Sequence, residues 1–328
     1  MENKKPLLTI CIPTYRGVDY VIQSLGIIVP QLSTATVDVE VIVADNGTPD
    51  DDFCRLQDFI DGLDVSINLL RHKEDIGGRA NFEFAASKAQ GKYLFMLGDD
   101  DIISPDTIRI LTPYLVSEVY SFIHFNTIFA DANLKSNYLI TKDYNGVAIE
   151  MSVAEFLKSN QYDATFSSAL VILRECWILG DSHVRDEYYG YEWYGRMMWG
   201  AALLGKPCLY YHFPLVIQRN PPKKWEKQRP IFKLVGQGMI WKDLDTIIAD
   251  LFVTKLRQRN PRVVDILSAS MTRDQKYYRQ YEKKFKQVLT EKEFKTLKNA
   301  LHTPFPFFYR VAYNIRTNFE KILSKLNR

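Results

Sequence analysis

The chain has 328 residues, 46% hydrophobic and 25% charged, which excludes a disordered, collagen-like or disulfide-stapled protein. Its net charge of +3 conceals a split. Residues 1–220 hold 18 Lys+Arg and 29 Asp+Glu, a net −11, whereas residues 221–328 hold 24 and 10, a net +14. The acidic part suits a cation-assisted site, and the basic part suits an anionic partner.

The first hundred residues alternate strand-like and helix-like segments. Leu7–Ile12 is a β-rich run stopped by Pro13. Val18–Leu32 has helical spacing, with Pro30 as a late break. Val37–Ala44 is strand-like and ends in the turn signal Asp45-Asn46-Gly47. A polar helix is predicted over Asp51–Gly62, a strand over Val65–Leu70, a helix over Asn81–Ala89 and an apolar central strand over Lys92–Leu97. This order argues for a parallel sheet covered by helices, whose ligands bind at the carboxyl ends of the strands. Polar clusters sit at those ends: Thr14-Tyr15-Arg16, Asp45-Asn46 and Asp99-Asp100-Asp101.

Farther on, Ser104-Pro105-Asp106 predicts a capped helix start. Strands are expected over Val119–Thr127, Leu134–Thr141, Phe166–Leu173 and Leu209–Ile217. Ser152–Glu155 and Thr290–Glu293 are capping boxes. Glu187–Leu204 reads as a long aromatic-rich helix or a loop followed by a helix, ended by Gly205. Beyond residue 220 the chain is basic and helical, and its last segment carries Phe308, Val311, Ile315, Phe319, Ile322 and Leu326 at helical spacing. Such a basic amphipathic helix suits a membrane surface, or a docking face for its own domain or a second subunit. No nucleic-acid motif accompanies the charge, so nucleic acid is not expected as a partner.

The cysteines Cys11, Cys54, Cys176 and Cys208 form no CxxC pair, which fits a reducing compartment. The run before Pro13 is too short for a signal peptide, and no apolar stretch approaches the roughly 18 residues of a membrane span. A cytoplasmic protein is expected, with any membrane contact peripheral.

Asp99-Asp100-Asp101 is the sharpest chemical feature. Three adjacent carboxylates repel, and Mg²⁺ or Mn²⁺ would relieve them while also taking phosphate oxygens; a solvated turn near a helix start is the plain alternative. Asp45, at the sheet edge, either builds a turn or stands exposed to accept from a base or ribose. In Asp75-Ile-Gly-Gly-Arg-Ala-Asn81 the glycines permit close approach, and Arg79 can reach a base or phosphate. GxGxxG and Walker A patterns are absent.

Four segments, in this order, carry a resemblance: Ile12-Pro13-Thr14-Tyr15; Asp45-Asn46-Gly47; Asp75-Ile76-Gly77 with Asn81; and Ala89-Gln-Gly-Lys-Tyr93 through Gly98-Asp99-Asp100-Asp101. The set resembles the nucleotide-binding half of family 2 glycosyltransferases with the GT-A fold, and the Gly-Asp-Asp-Asp form is similar to the abequosyltransferase-like branch. Asp75 departs from the family's usual Asn. The resemblance, which ends near residue 220, implies a Rossmann-like, mostly parallel sheet over residues 1–220, divided near 117 into donor and acceptor halves; the helical extension over 221–328 is read from its own residues. It implies that Thr14, Tyr15, Asp45 and Arg79 surround the base and ribose. Asp99 would contact the ribose or a metal-bound water, Asp100 would bind the metal, and Asp101 would support the site or face the acceptor. The catalytic base would be Glu192 in Tyr191-Glu192-Trp193-Tyr194-Gly195-Arg196, where the family carries Glu-Asp-Trp followed by Arg. Asp186 and Glu187 compete for that role, and Trp193 and Arg196 would serve the acceptor or support the site from behind. His212 would complete the metal site or sit buried as a core histidine. Arg219 with Lys223-Lys224 would cover the diphosphate as a flexible lid or form a solvated loop. The partners implied are a nucleotide-sugar, foremost a UDP-sugar, and a glycan or lipid-linked acceptor at the inner membrane face, in a monomer or homo-oligomer. A nucleotidyltransferase and a non-catalytic binder on the same scaffold remain alternatives.

Overall fold

The structure, a computed structural model, describes residues 5–131, 134, 137–139, 147–159, 165–220, 227–259, 261–304, 306 and 309. The front of the chain alternates β1 (Leu8–Thr14), α1 (Val18–Thr34), β2 (Val39–Asp45), α2 (Asp50–Asp61), β3 (Asn68–Arg71), α3 (Gly78–Lys88) and β4 (Tyr93–Met96). The four strands pair in parallel in the order β3-β2-β1-β4. β4 is buried along its whole length, as its unbroken apolar run requires of a central strand. α1 buries Val21, Leu25 and Ile28 on one face. Pro30 does not end this helix, which continues to Thr34.

There follow β5 (Ile102–Ile103), α4 (Thr107–Ser117), β6 (Phe122–Asp131), β7 (Asn137–Leu139), β8 (Ala148–Met151), α5 (Val153–Lys158), β9 (Leu170–Leu173), α6 (Arg174–Leu179), α7 (Glu192–Leu204) and β10 (Cys208–Asn220). The main path of the sheet is β3-β2-β1-β4-β9-β6-β10-β5, with β7 on β6 and β8 on β10. β9 runs antiparallel to both β4 and β6, so the sheet is parallel in its first half and mixed beyond. The long strand β10 returns parallel to β6, and its end lies beside the segment that follows β4.

Local chemistry explains where the elements depart from expectation. α4 starts at Thr107, not at Ser104, because the Ser104 hydroxyl donates to the Pro214 carbonyl instead of capping the helix. The segment before β9 forms a 3-10 turn, Ser167–Ala169. Over Glu187–Leu204 the loop-then-helix reading holds: Tyr189 and Gly190 take positive φ values of 42° and 80°, separating a 3-10 turn at Asp186–Tyr188 from α7. Gly205 ends α7 at φ 70°, as expected.

The chain forms two compact units: Met1–Val184 with Trp193–Lys223, and Arg185–Glu192 with Lys224–Arg328. The first holds the sheet. The second is helical: a π-helical turn Ile231–Gly236, then α8 (Gln237–Leu244), α9 (Leu251–Gln258), α10 (Pro261–Met271), α11 (Gln275–Arg279), α12 (Glu282–Val288) and α13 (Glu291–His302). Its core includes Ile231, Leu244, Phe285, Val288 and Leu297. Within it, the Tyr188 hydroxyl donates to Asp243 Oδ2, and Arg185 Nη1 donates to both Asp243 carboxylate oxygens. The Thr290–Glu293 capping box forms, as does that of Ser152–Glu155. The terminal apolar stripe from Phe308 to Leu326 and the Lys223-Lys224 pair lie outside the described residues. No helix among the described residues is long and apolar enough to cross a membrane, and all four cysteines are free.

Candidate active site

The carboxyl ends of β1, β2 and β4 bring three of the polar clusters together, because parallel pairing sets Thr14 beside Asp45 and aligns Cys11 with Met96. The Thr14 hydroxyl donates to Asp99 Oδ2 at 2.7 Å. The backbone amides of Tyr15 and Asp100 also favour the charged form of the Asp99 carboxylate. Burial pushes Asp99 up to about 6 against the Thr14 bond, and the Asp100 charge adds to the rise. Tyr15 is half-buried, and the Arg16 guanidinium lies 5.1 Å over its ring. Gly17 was not singled out by the sequence reading, yet it is part of this site. A Cβ there would stand 2.2 Å from Asp99 Oδ2 and 2.9 Å from the Thr14 hydroxyl oxygen. The available signal was a glycine directly after a strand-end Thr-Tyr-Arg.

Asp101 is buried, and both its oxygens are engaged. Oδ2 accepts from the Ser168 hydroxyl at 2.5 Å, and Oδ1 accepts from the Arg219 amide at 3.2 Å. It therefore braces the turn and does not face an acceptor. Arg219 is not part of a flexible lid. It is buried at the end of β10, donates from Nε to the Asp100 carbonyl at 3.0 Å and from Nη2 to Gln23 at 3.0 Å, and stacks 4.6 Å over Tyr20. Ser168, Gln23 and Tyr20 were invisible as site residues, since only the folded sheet places them beside the turn.

Asp45 is fully buried, so of its two readings it builds the turn and is not an exposed acceptor. Its carboxylate accepts from the Thr48 amide at 3.1 Å and lies 3.6 Å from Arg71 Nε. Arg71 in turn donates to the Thr48 carbonyl at 2.8 Å, pairs with Asp50 at 2.6 Å and packs 4.0 Å over Phe53. One guanidinium thus organises the whole turn after β2. Asn46 donates to Asp75 at 2.6 Å, and the same Asp75 oxygen accepts from Gly77 N at 2.8 Å. Both bonds use Asp75 as an acceptor, so an aspartate serves at this family asparagine position. Arg79 is exposed in the first turn of α3 and pairs with Glu83 at 3.2 Å.

Glu192 is buried and opens α7, with Trp193 next to it. The Trp193 ring lies 5.9 Å from Phe82. Arg196 is held by its own unit, as a supporting residue would be: it donates to the Trp177 carbonyl at 2.9 Å, pairs with Asp181 at 2.6 Å and lies 4.4 Å over the Trp177 ring. Gly180 and Gly200 permit this close α6–α7 approach, since a Cβ would meet the Arg196 or Cys176 carbonyl oxygen within 2 Å. Glu187, a competing base, is tied to Lys284 at 3.3 Å and Arg185 at 3.6 Å, and its own amide with those cations holds its carboxyl below the usual range. His212 is buried against the Tyr210 ring at 4.9 Å. It lies seven positions before Arg219 on β10, about 20 Å along a strand, and does not join the aspartate turn.

Asp99 and Asp100 fit a divalent cation. A carboxylate raised by desolvation and by an anionic neighbour is the arrangement whose repulsion a cation relieves. Among the described residues no group of three or more His, Cys, Asp or Glu is gathered as a metal cage. A partial set of one or two carboxylates suits Mg²⁺ or Mn²⁺ when phosphate oxygens complete the shell.

A family model described as glycosyl transferase family 2 matches residues 9–176, half of the chain. The chain belongs to glycosyl transferase family 2. This family 2 member is 26% identical over 235 residues to the abequosyltransferase RfbV of Salmonella typhimurium, across 68% of this chain and 69% of that one. It resembles the structure of S. aureus TarS 1-349 in complex with UDP at a TM-score of 0.63 and 13% identity, covering 93% of this chain and 88% of that one. The mannosyltransferase PcManGT from Pyrobaculum calidifontis, solved with GDP-Man and Mn²⁺, matches at a TM-score of 0.50 and 12% identity over 97% and 89% of the two chains. At these identities the structural likeness is one of fold: the GT-A architecture that the motifs implied, with the helical C-terminal region expected from the chain beyond residue 220.

Proposed function

We propose that this glycosyltransferase is inverting and uses a divalent cation to move a sugar from a nucleotide-sugar, foremost a UDP-sugar, to a glycan or lipid-linked glycan of a surface polysaccharide. The Thr14–Asp99 hydrogen bond beside Asp100 carries the reading, since it fixes a carboxylate pair at the carboxyl end of a parallel sheet. UDP in TarS, and GDP-Man with Mn²⁺ in PcManGT, support the donor class and the cation.

Asp99 with Thr14 would orient the ribose, and Tyr15 and Arg79 would border the base. Asp45 contributes by shaping the turn that receives it. Asp100, helped by Asp99, would hold Mn²⁺ or Mg²⁺, which supplies Lewis-acid stabilisation of the leaving diphosphate when bound. Glu192 takes the proton from the acceptor hydroxyl. That oxygen bonds to the anomeric carbon from the face opposite the leaving group, and the old glycosidic bonding pair departs with the nucleoside diphosphate. The Trp193 ring offers an apolar face to the acceptor sugar. The catalytic domain is assigned to residues 1–220, and the basic region 221–328 to an anionic surface, the inner face of the cell membrane. Glu192→Gln tests the chemistry: donor affinity is retained and transfer is lost, whereas full transfer moves the base to Asp186.

A further inference from the structure

We propose that Ser168 is a positioning residue of the cation-binding turn. The inference rests on the cation reading above and adds a residue outside the family motifs. Ser168 is fully buried in the 3-10 turn before β9, about seventy positions from the aspartates. A serine hydroxyl has one donor and can accept as well, and both capacities are used here. Its oxygen accepts from the Gly98 amide at 2.9 Å, and its proton goes to Asp101 Oδ2 at 2.5 Å. Gly98 and Asp101 also bond to each other, Asp101 N to Gly98 O, at 3.1 Å. One hydroxyl therefore pins both flanks of the two residues assigned to the cation.

The space there is tight. A Cβ on Gly98 would meet Asp101 Oδ2 at 2.7 Å and the Ser168 oxygen at 3.4 Å. Asp101 Oδ1 is held independently by the Arg219 amide, so Ser168 is the other anchor of that carboxylate. Without the hydroxyl, the Gly98 amide loses its acceptor and Asp101 loses a charge-assisted bond. Asp99 and Asp100 must then be ordered against their mutual repulsion when the cation binds, a cost the intact turn has already met.

The test uses the full chain as wild type, Ser168→Ala and Ser168→Thr. Mn²⁺ binding is followed by electron paramagnetic resonance with UDP present, UDP binding is followed by calorimetry in EDTA, and melting is recorded. Ser168→Ala is expected to weaken Mn²⁺ about tenfold, the scale of one hydrogen bond to a charged group. Its metal-free UDP affinity is expected to stay at the wild-type value, and Ser168→Thr is expected to recover most of the Mn²⁺ affinity. Unchanged Mn²⁺ affinity in folded Ser168→Ala overturns the role. So does an equal loss of Mn²⁺ and metal-free UDP affinity, which marks general collapse. If Ser168→Ala does not fold, Ser168→Cys replaces it with a weaker donor and acceptor; a partial loss of Mn²⁺ supports the role and no loss overturns it. Wild type that binds UDP, GDP or CDP but no Mn²⁺ with any of them refutes the cation reading, and this proposal with it.

Discussion

The Thr14 hydroxyl donates to the Asp99 carboxylate across 2.7 Å, joining the end of β1 to the turn after β4. Asp99 nevertheless stays raised to about 6, because burial outweighs that bond. A carboxylate raised in the folded state contributes stability that is fully present below its ordinary value near 3.8 and is lost as pH climbs through about 6. Without divalent cations, the melting temperature of wild type relative to Asp99→Asn is therefore expected to fall between about pH 4 and about pH 7. Parallel curves for the two proteins would contradict the shift. Thr14→Val removes a bond that lowers Asp99, so the loss of donor binding in acid should begin at higher pH.

Gly17→Ala tests the close approach to that carboxylate. Its Cβ would stand 2.2 Å from Asp99 Oδ2, so Asp99 must move. Circular dichroism should remain native, and nucleotide affinity by calorimetry should fall about tenfold or more, the scale of one charge-assisted hydrogen bond.

Arg71 faces a fully buried Asp45 at 3.6 Å. Arg71→Ala leaves that charge without its cation and frees the Thr48 carbonyl. Arg71 is partly exposed, so the loss should be about 2 kcal/mol, below that for a wholly buried pair. Chemical denaturation measures it. Arg71→Lys should recover little, because one ammonium cannot reproduce contacts to Asp45, Thr48 and Asp50.

Arg196→Ala should act on stability and not on the acceptor. The guanidinium joins Trp177 and Asp181 within the sheet-bearing unit. A loss of about 1–2 kcal/mol is expected, with the acceptor KM unchanged. A raised acceptor KM at wild-type stability would return Arg196 to the acceptor site.

The parallel half of the sheet was legible in the sequence because its signals are local. Apolar runs gave the four parallel strands, and the turn residues at their carboxyl ends gave Thr14, Asp45 and Asp99–Asp101. What the residues do there was less legible. Whether Asp45 built the turn or stood exposed was open because its counter-ion, Arg71, arrives from the neighbouring strand β3. Arg219 was open between a lid and a solvated loop because β10 reaches the aspartate turn only through long-range pairing with β6 and β5. Ser168 carried no local signal, since its partners lie across β4 and β9. A loop before the helix was one of the readings of Glu187–Leu204, but the aromatic spacing is compatible with a single helix as well, and only Gly190 marked where the break falls.

Incubating the full chain with a panel of nucleotide-sugars, with Mn²⁺ or EDTA, and identifying the released nucleotide tests the assignment most directly. The expected result is slow release of a nucleoside diphosphate from one donor, dependent on Mn²⁺ and absent in Asp100→Asn. Release of pyrophosphate, or Asp100→Asn turning over like wild type, would contradict it.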